Sequence, residues 1–420
     1  MMRLTHEEQA MLDGKDGPVV REAIDYVIQL GEAFGAERLV DIAYCHYPAE
    51  MAIYEGSVEE LCEYAERGGK VRVPTTTSTL CCDLERPDST GCPATLCSLQ
   101  AQAESAHRSM GINDTYTCTP QHLGYTPPFG SCNLLVESSA IIFYNSVLGA
   151  RTNRGGLLTR YSAVCGKYPL MGYLLDEQRR GTHLFNCSIP DQRLATADGW
   201  SALGFHIGAV VGSAVPVIDG VRTDRRDFLI ALGAALATSG SVTLFHLVGV
   251  TPEAGTLEEA LQGGDPEHVV AVSEADLDAA YRQYCTVDTG GAIDFVTLGC
   301  PHYDLAQLRV VAEKLDGRRV ADGVRCWICT NRLTRRAAAE AGILRPIEDA
   351  GALVIADTCP VESHLRQSTC REHALPVPNV RAMATDSFKM ARYSADLIGC
   401  RTALGGFDQC IAAALSGRWR

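Results

Sequence analysis

Short apolar runs alternate with helix-like segments through most of the second half of the sequence. Residues 294–299 and 353–356 have the composition of buried strands, whereas residues 304–315 and 332–341 space their apolar side chains as a helix does. Strands that alternate with helices favour mostly parallel, doubly wound sheets. We therefore predict an α/β fold, and 420 residues are enough for two or three domains of this kind.

Three cysteines lie in short motifs that are far apart in the chain. Cys118 lies in TCTP, Cys300 in GCPH and Cys359 in DTCP, and each motif has a context in which a strand would end. Ligands bind at the carboxyl ends of strands in open α/β sheets. Three thiolates that converge there can hold an iron–sulfur cluster and leave one iron without a protein ligand. Because such an iron is a Lewis acid, the pattern favours a dehydratase over an electron carrier, which usually has four cysteine ligands.

The chain has 18 cysteines but no apolar signal core at its N-terminus. We therefore expect a reducing cytoplasm in which most thiols act as small buried side chains. The CxxC pair Cys326 and Cys329 lies in a strand-like stretch, where it is interpreted as core packing rather than a redox or zinc pair. The adjacent Cys81 and Cys82 are interpreted in the same way. Spacing alone leaves core packing open for Cys118, Cys300 and Cys359 as well, because their intervals match no local metal motif.

The formal net charge of −14 and the lack of a long basic stretch argue against nucleic acid as a partner. Phe228–Val250 carries no charge and is long enough to cross a bilayer. It is interrupted by Thr238–Ser241 and contains His246. We therefore predict a buried helix, a glycine turn and a buried strand there, and we expect no membrane partner.

A series of motifs in chain order resembles the large, catalytic part of the aconitase X family. The matching strings are PTTT at 74–77, DLER at 83–86, TCTP at 117–120, ESSA at 137–140, NSVLGARTNR at 145–154, GVTPEA at 249–254, GCPH at 299–302 and DTC at 357–359. The string at 145–154 is the longest and most specific. The resemblance covers residues 1–420 and implies an aconitase-like fold, in which three packed α/β domains with mostly parallel sheets surround a central metal site. We expect sub-domains near 1–200, 201–300 and 301–420.

The resemblance also implies hydro-lyase activity on a small hydroxylated anion. The expected substrate is cis-3-hydroxy-L-proline, with mevalonate 5-phosphate or another substrate of the same scaffold as alternatives. The expected cofactor is an iron–sulfur cluster held by Cys118, Cys300 and Cys359, although a single iron is also compatible. The family's small swivelling domain, which carries the catalytic serine, is not recognised in these 420 residues. A small subunit that supplies it is therefore the expected partner.

Polar residues around these motifs are the candidates for the remaining site. Catalytic candidates are Glu137, His302 and Ser138, where His302 either protonates the departing hydroxide or only orients its neighbours. An arginine fork can hold the carboxylate or phosphate of a substrate, whereas a solvated loop is the alternative for the arginine-rich string. The candidates for substrate binding are Ser139, Asn145, Ser146, Arg151, Thr152, Asn153, Arg154, Ser387 and Lys389.

A function of another class is an iron-responsive binding protein without turnover. The acidic balance argues against an RNA-binding form of it. Iron and sulfide analysis after anaerobic purification separates both metal-dependent functions from a thiol-rich protein that holds no metal.

Overall fold

The structure, a computed structural model, describes residues 2–49, 54–156, 158–377 and 379–420. The helices are α1 (His6–Leu12), α2 (Pro18–Ala33), α3 (Glu55–Glu66), α4 (Pro87–Thr90), α5 (Ala94–Met110), α6 (Ser138–Ser146), α7 (Leu158–Cys165), α8 (Ala197–Val211), α9 (Arg226–Gly240), α10 (Leu257–Ala260), α11 (Glu274–Tyr284), α12 (Leu305–Leu315), α13 (Arg332–Glu340), α14 (Leu344–Asp349), α15 (Gln367–Glu372), α16 (Phe388–Tyr393) and α17 (Phe407–Ser416). Shorter helical turns lie at Pro120–Leu123, Gly172–Leu174, Asp176–Arg179, Asp191–Leu194 and Ser394–Ile398.

The strands form three parallel sheets and one small antiparallel ribbon. They are β1 (Leu39–Asp41), β2 (Tyr44–Tyr47), β3 (Thr75–Thr77), β4 (Cys132–Leu135), β5 (Arg151–Arg154), β6 (Lys167–Pro169), β7 (His183–Ser188), β8 (Pro216–Asp219), β9 (His246–Leu247), β10 (His268–Ser273), β11 (Phe295–Leu298), β12 (Arg325–Thr330), β13 (Leu353–Ala356), β14 (Ala382–Thr385) and β15 (Arg401–Leu404). The first sheet has the order β3-β2-β4-β5, the second β10-β7-β8-β9 and the third β13-β12-β11-β14-β15, while β1 pairs with β6.

Every pairing within the three sheets is parallel, as the alternation of strands and helices predicts. We call the three parts of the chain that hold these sheets the first, second and third units. Their strands span residues 39–169, 183–273 and 295–404. The sub-domain boundaries near residues 200 and 300 stay a prediction.

The third unit has an apolar core on each face of its sheet. Cys326 packs into the core under α12 and α14, whereas Cys329 packs on the opposite face beside Phe295 and Cys359. Both thiols of the CxxC pair are buried. This arrangement confirms their interpretation as core residues on opposite faces of a strand.

The uncharged segment from Phe228 is an internal helix of the second unit. Helix α9 packs closely against α8, and a Cβ at Gly204 would lie 2.3 Å from the carbonyl oxygen of Leu232. Glycine therefore permits the close approach of the two helices. The strand that follows is only β9, shorter than the apolar pattern predicts. Within the described residues, no helix combines the length and apolar character that a membrane crossing requires.

Candidate active site

Two of the three motif cysteines follow strands of the third sheet. Cys300 comes two residues after β11, and Cys359 comes three residues after β13, so both lie at the carboxyl edge of this sheet. Cys118 belongs to the first unit, where the backbone N–H of Thr117 donates to the carbonyl oxygen of Thr77, the last residue of β3. It precedes a helical turn and is not the end of a described strand. The predicted strand-end position therefore holds for Cys300 and Cys359 only.

His302 joins the three cysteine motifs. Its backbone N–H donates to Sγ of Cys118 at 3.2 Å, and its ring contacts the Thr117 hydroxyl through Nδ1 and the Thr358 carbonyl oxygen through Nε2, both at 3.2 Å. These contacts bring the segments that carry Cys118, Cys300 and Cys359 to one place. Burial raises the pKa of Cys359 most, and the charges of Glu362, Cys329, Cys300 and Cys118 raise it further, so the three thiols lie close enough to interact.

The ring of His302 is buried, and both of its nitrogens are engaged. Because a carbonyl oxygen only accepts hydrogen bonds, the contact with Thr358 assigns the proton to Nε2 and makes Nδ1 the acceptor for the hydroxyl of Thr117. Burial lowers the pKa of His302 to about 4, so the imidazole is neutral at pH 7. These contacts favour an orienting role for His302 over the donation of a proton to hydroxide.

A buried ion pair joins the first and third units beside the thiols. Nζ of Lys389 lies 2.7 Å from Oε1 of Glu137 and 3.3 Å from the hydroxyl of Ser138. Glu137 also caps α6 and accepts a hydrogen bond from the hydroxyl of Ser139 at 3.0 Å. Burial alone would raise the pKa of Glu137. Lys389 and these hydrogen bonds lower it by more than burial raises it, and the resulting pKa is about 2. The carboxylate is therefore ionised at neutral pH.

The ion pair and the thiols form one electrostatic site. The hydroxyl oxygen of Ser139, which donates its proton to Glu137, also lies 3.3 Å from the carbonyl oxygen of Cys118. Burial raises the pKa of the Cys300 thiol to about 11, while the charge of Lys389 and a hydrogen bond with Ser387 oppose this shift. Lys389 likewise opposes the rise that burial causes in the pKa of Cys118. A cation placed there favours the thiolate form, which is the form that binds metal.

Glu362 and His46 also belong to this site, although the sequence reasoning missed both. Burial, followed by the charge of Glu137, raises the pKa of Glu362 to about 7. Burial lowers the pKa of His46 to about 4, and its Nδ1 lies 2.8 Å from the hydroxyl of Thr76. Glu362 lies three residues after Cys359, and His46 lies near the carboxyl end of β2. Position relative to a strand end was the signal that could have indicated them.

Asn145 and Ser146 lie outside this cluster, in a network between the first and second units. The Asn145 amide donates to the carbonyl oxygens of Thr152 and Thr243, both at 2.9 Å, and its oxygen accepts from the Thr152 backbone and from Arg179, both at 3.0 Å. This uses the full hydrogen-bonding capacity of an amide side chain. The Ser146 hydroxyl accepts from the backbone N–H of Phe245 at 2.8 Å.

Arg179, which the sequence reasoning did not single out, links two of the family-like strings. It is 1% exposed, contacts Asn145 and pairs with Glu253, whose Oε1 lies 2.9 Å from Nε of Arg179. Glu253 belongs to the GVTPEA string, and Asn145 begins NSVLGARTNR. The similarity of these strings to the family therefore has a structural basis in the contact between two units.

Most of the 151–154 string is also engaged within the protein. Arg151 pairs with Asp176, Thr152 lies buried against Asn145, and Asn153 donates to the carbonyl oxygen of Met171 at 2.9 Å. Arg154 is exposed, and its Cα is aligned with Leu135 at the end of the neighbouring β4. It therefore lies at the same sheet edge as Glu137, and its part in substrate binding stays a prediction.

A cleft between the second and third units leads to Cys300. Its walls come from both units and from His122 of the first, and the residues that line it include Asp227, Cys300, His302, Tyr303, Asp386 and Ser387. A wider cleft shares Asp227, Tyr303 and Asp386 with it and extends to Arg225 and Phe407. The inner cleft is lined by Cys300, and the wider cleft adjoins it at the shared residues.

Comparisons with known proteins place the chain among aconitase X proteins. Three family models match in order: aconitase X first domain over residues 1–177, second domain over 181–282 and third domain over 293–416. The chain is 35% identical to cis-3-hydroxy-L-proline dehydratase of Pseudomonas aeruginosa, over 99% of this chain and 70% of that protein. It is 34% identical to the phosphomevalonate dehydratase large subunit of Methanothermobacter thermautotrophicus, over 94% of each.

The fold also agrees with a solved structure of this group. The crystal structure of Thermococcus kodakaraensis aconitase X in its holo-form superposes with a TM-score of 0.85 and 31% sequence identity. The match covers 98% of this chain and 100% of that one. The implied arrangement of several α/β units is therefore confirmed.

Proposed function

The chain belongs to the aconitase X family, and from that premise we propose that it is a hydro-lyase that removes water from a small hydroxylated anion. The observation that carries this proposal is the convergence of Cys118, Cys300 and Cys359 around His302, beside the ion pair of Glu137 and Lys389. Soft ligands, a buried cation–carboxylate pair and an access cleft are the parts that a metal-assisted dehydration requires.

The donor set fits an iron–sulfur cluster, which we propose as the cofactor. Thiolates are soft ligands that suit iron–sulfur clusters, and three of them leave one position on the iron centre open. A single iron held by the same three thiolates is the alternative. When bound, this group supplies Lewis acidity toward the substrate hydroxyl.

The side chains around the thiols then have separate tasks. Lys389 keeps Glu137 ionised, so the carboxylate accepts a hydrogen bond from a substrate ammonium or hydroxyl group. Ser138 is a hydrogen-bond donor in the same place, and Arg154 pairs with the substrate carboxylate or phosphate. His302 positions the cysteine segments through its ring, while Ser387 steadies Cys300.

We propose cis-3-hydroxy-L-proline as the substrate, which is the reaction named for the Pseudomonas aeruginosa relative. Mevalonate 5-phosphate is the second candidate, favoured by the near full-length match to a phosphomevalonate dehydratase large subunit. Both molecules carry an anionic group and a hydroxyl group, so the general architecture of the site accommodates either.

We propose that the proton is removed by a serine from a domain outside these 420 residues. The match spans 94% of the archaeal large subunit but only 70% of the hydroxyproline dehydratase. This difference in length supports a domain with the basic serine that is fused to the matching part in the hydroxyproline dehydratase and that a small subunit supplies in the archaeal enzyme.

All 18 cysteines are unpaired in the structure, which supports a reducing cytoplasm as the location.

The test is an anaerobic assay of the iron-reconstituted protein, alone and with an aconitase X small subunit. Each candidate substrate is supplied separately, and product is detected as substrate that has lost one water. We expect turnover of cis-3-hydroxy-L-proline only when both chains are present. Full activity of the single chain would refute the divided site, and turnover of mevalonate 5-phosphate alone would transfer the assignment to the second candidate. A metal-loaded complex inactive on both would refute both substrates.

A further inference from the structure

Three other cysteines form a compact cluster that the proposed chemistry does not use. The Sγ atoms of Cys82, Cys92 and Cys97 all lie within 4.8 Å of one another. Cys82 is buried, the other two are half-buried, and all three are free thiols. Among the described residues, this is the group of His, Cys, Asp and Glu side chains whose spacing suits one metal ion.

The local fold brings the three sulfurs together. Helix α4 ends at Thr90, and Gly91 adopts a left-handed conformation with φ +70°, which turns the chain back toward α5. Cys92 follows this turn, and Cys97 lies in the first turn of the 17-residue α5. The positive end of that helix stabilises a thiolate at Cys97.

A histidine from the third unit lies near the three sulfurs and is the candidate for the fourth donor. His364 lies close enough to Cys97 for the two charges to interact. Its Nδ1 is buried and has no hydrogen-bond partner among the described residues. A buried nitrogen without a partner is unfavourable unless it is satisfied by something else, such as a metal ion.

We propose that Cys82, Cys92, Cys97 and His364 bind a zinc ion that fastens the first unit to the third. Zinc prefers four thiolate and imidazole ligands in a tetrahedron, with Zn–S bonds of about 2.3 Å. Sulfurs within 4.8 Å need only a small contraction to reach that geometry. The His364 nitrogens lie outside this group of sulfurs, so His364 is the donor that must shift to complete the tetrahedron.

The surroundings agree with a structural role between the two units. Asp83 and Glu85, beside the cluster, both pair with Arg335 of α13, and the Arg335 Nη2–Glu85 Oε2 distance is 2.8 Å. Leu375 of the third unit packs against the apolar side chains around Cys82. A metal ion at this junction holds the chain five residues after Cys359, and it is distinct from the iron proposed at the active site.

The test measures zinc and iron separately in the same protein samples. Protein loaded with both metals is compared with Cys97→Ser, His364→Ala and His364→Cys, and Cys62→Ser serves as a control because Cys62 is a half-exposed thiol outside both clusters. We expect one zinc per chain in the starting protein, in Cys62→Ser and in His364→Cys. Cys97→Ser and His364→Ala should bind zinc at least about tenfold more weakly. The iron content should be the same in the starting protein and in every variant.

Cobalt provides a second measurement that does not depend on a variant folding. Starting protein that retains its iron but has been freed of zinc is titrated with Co²⁺, and we expect sulfur-to-cobalt charge-transfer bands and intense tetrahedral bands that saturate at one equivalent. Octahedral spectra, or zinc binding by Cys97→Ser equal to that of the starting protein, would overturn the proposal. The proposed dehydration depends on iron at Cys118, Cys300 and Cys359, so either hypothesis can fail while the other stands.

Discussion

Lys389→Met removes the cation that keeps Glu137 ionised inside the protein. Side-chain exposure is 11% for Lys389 and 18% for Glu137, so solvent screens this pair only weakly. The pKa of Glu137 falls from its ordinary 4.5 to about 2, even though burial alone would raise it. At about 1.4 kcal/mol per pKa unit, this fall corresponds to roughly 3 kcal/mol of stabilisation.

A double-mutant cycle measures this interaction. We compare the starting protein, Lys389→Met, Glu137→Gln and the double variant by urea unfolding at pH 7, with the metal content held equal. The expected coupling free energy is about 2–3 kcal/mol, and Lys389→Met should also lose dehydratase activity because the carboxylate loses its partner. A matched control is Lys314→Met, since Lys314 pairs with Asp408 on the surface, where the side chains are 43% and 74% exposed. That change should cost less than about 1 kcal/mol.

The pH dependence gives the same interaction a second check. Because the folded-state pKa of Glu137 is lowered, its stabilisation is present above about pH 4.5 and is lost as the pH falls toward 2. Lys389→Met should therefore show a weaker loss of unfolding free energy over this acid range. A coupling energy below about 0.5 kcal/mol, together with an unchanged acid profile, would refute the importance of the buried pair.

Four further changes have distinct expected results. Cys359→Ala should abolish iron binding and activity, whereas Cys326→Ala, on the opposite face of the sheet, should retain both; equal iron loss in the two would contradict the ligand assignment. Burial lowers the pKa of His302 from 6.5 to about 4, so the neutral ring stabilises the folded protein fully above pH 6.5, and this stabilisation is lost as the pH falls to 4. In urea titrations, His302→Gln should reduce that loss of unfolding free energy by up to about 3 kcal/mol. A pH slope identical to that of the starting protein would refute this. Asn145→Ala leaves buried donors unpaired, so it should lower the unfolding free energy by about 1–3 kcal/mol with little change in KM. A raised KM at full stability would instead indicate that Asn145 binds substrate. Arg154→Ala should raise KM at least about tenfold without loss of stability, and an unaltered KM would remove Arg154 from the site.

The positions of Cys300 and Cys359 were accessible from sequence because both follow apolar strands of one sheet. The carboxyl ends of parallel strands share an edge, so two strand-end cysteines are expected to lie near each other. Cys118 belongs to the first unit and to no described strand, and its approach to His302 depends on how two units pack. Spacing along the chain holds no information on that packing, and only the family resemblance indicated it.

The string at 145–154 shows the opposite case. Its polar residues predict substrate binding, but Asn145 and Arg151 are engaged in contacts within the protein. Residue type indicates the capacity to bond and not the partner, which is set by the tertiary fold. The three threonines of β3 have polar side chains but lie in a buried strand, which their branched side chains suit.

For Cys82, the sequence pattern indicated simple core packing. It is buried, as that interpretation requires, but its sulfur lies beside those of Cys92 and Cys97. The grouping arises from the turn at Gly91 and the start of α5, which place residues 82, 92 and 97 together. Irregular spacing in the sequence gave no local metal motif, so only the folded backbone revealed the cluster.

Anomalous diffraction from crystals of the anaerobically prepared protein, recorded at the iron absorption edge, locates the metal independently of activity. We expect strong iron density enclosed by the sulfurs of Cys118, Cys300 and Cys359 and open toward the cleft beside Ser387. Iron density absent from that position in a protein that contains iron, or present only at Cys82, Cys92 and Cys97, would contradict the proposed catalytic centre.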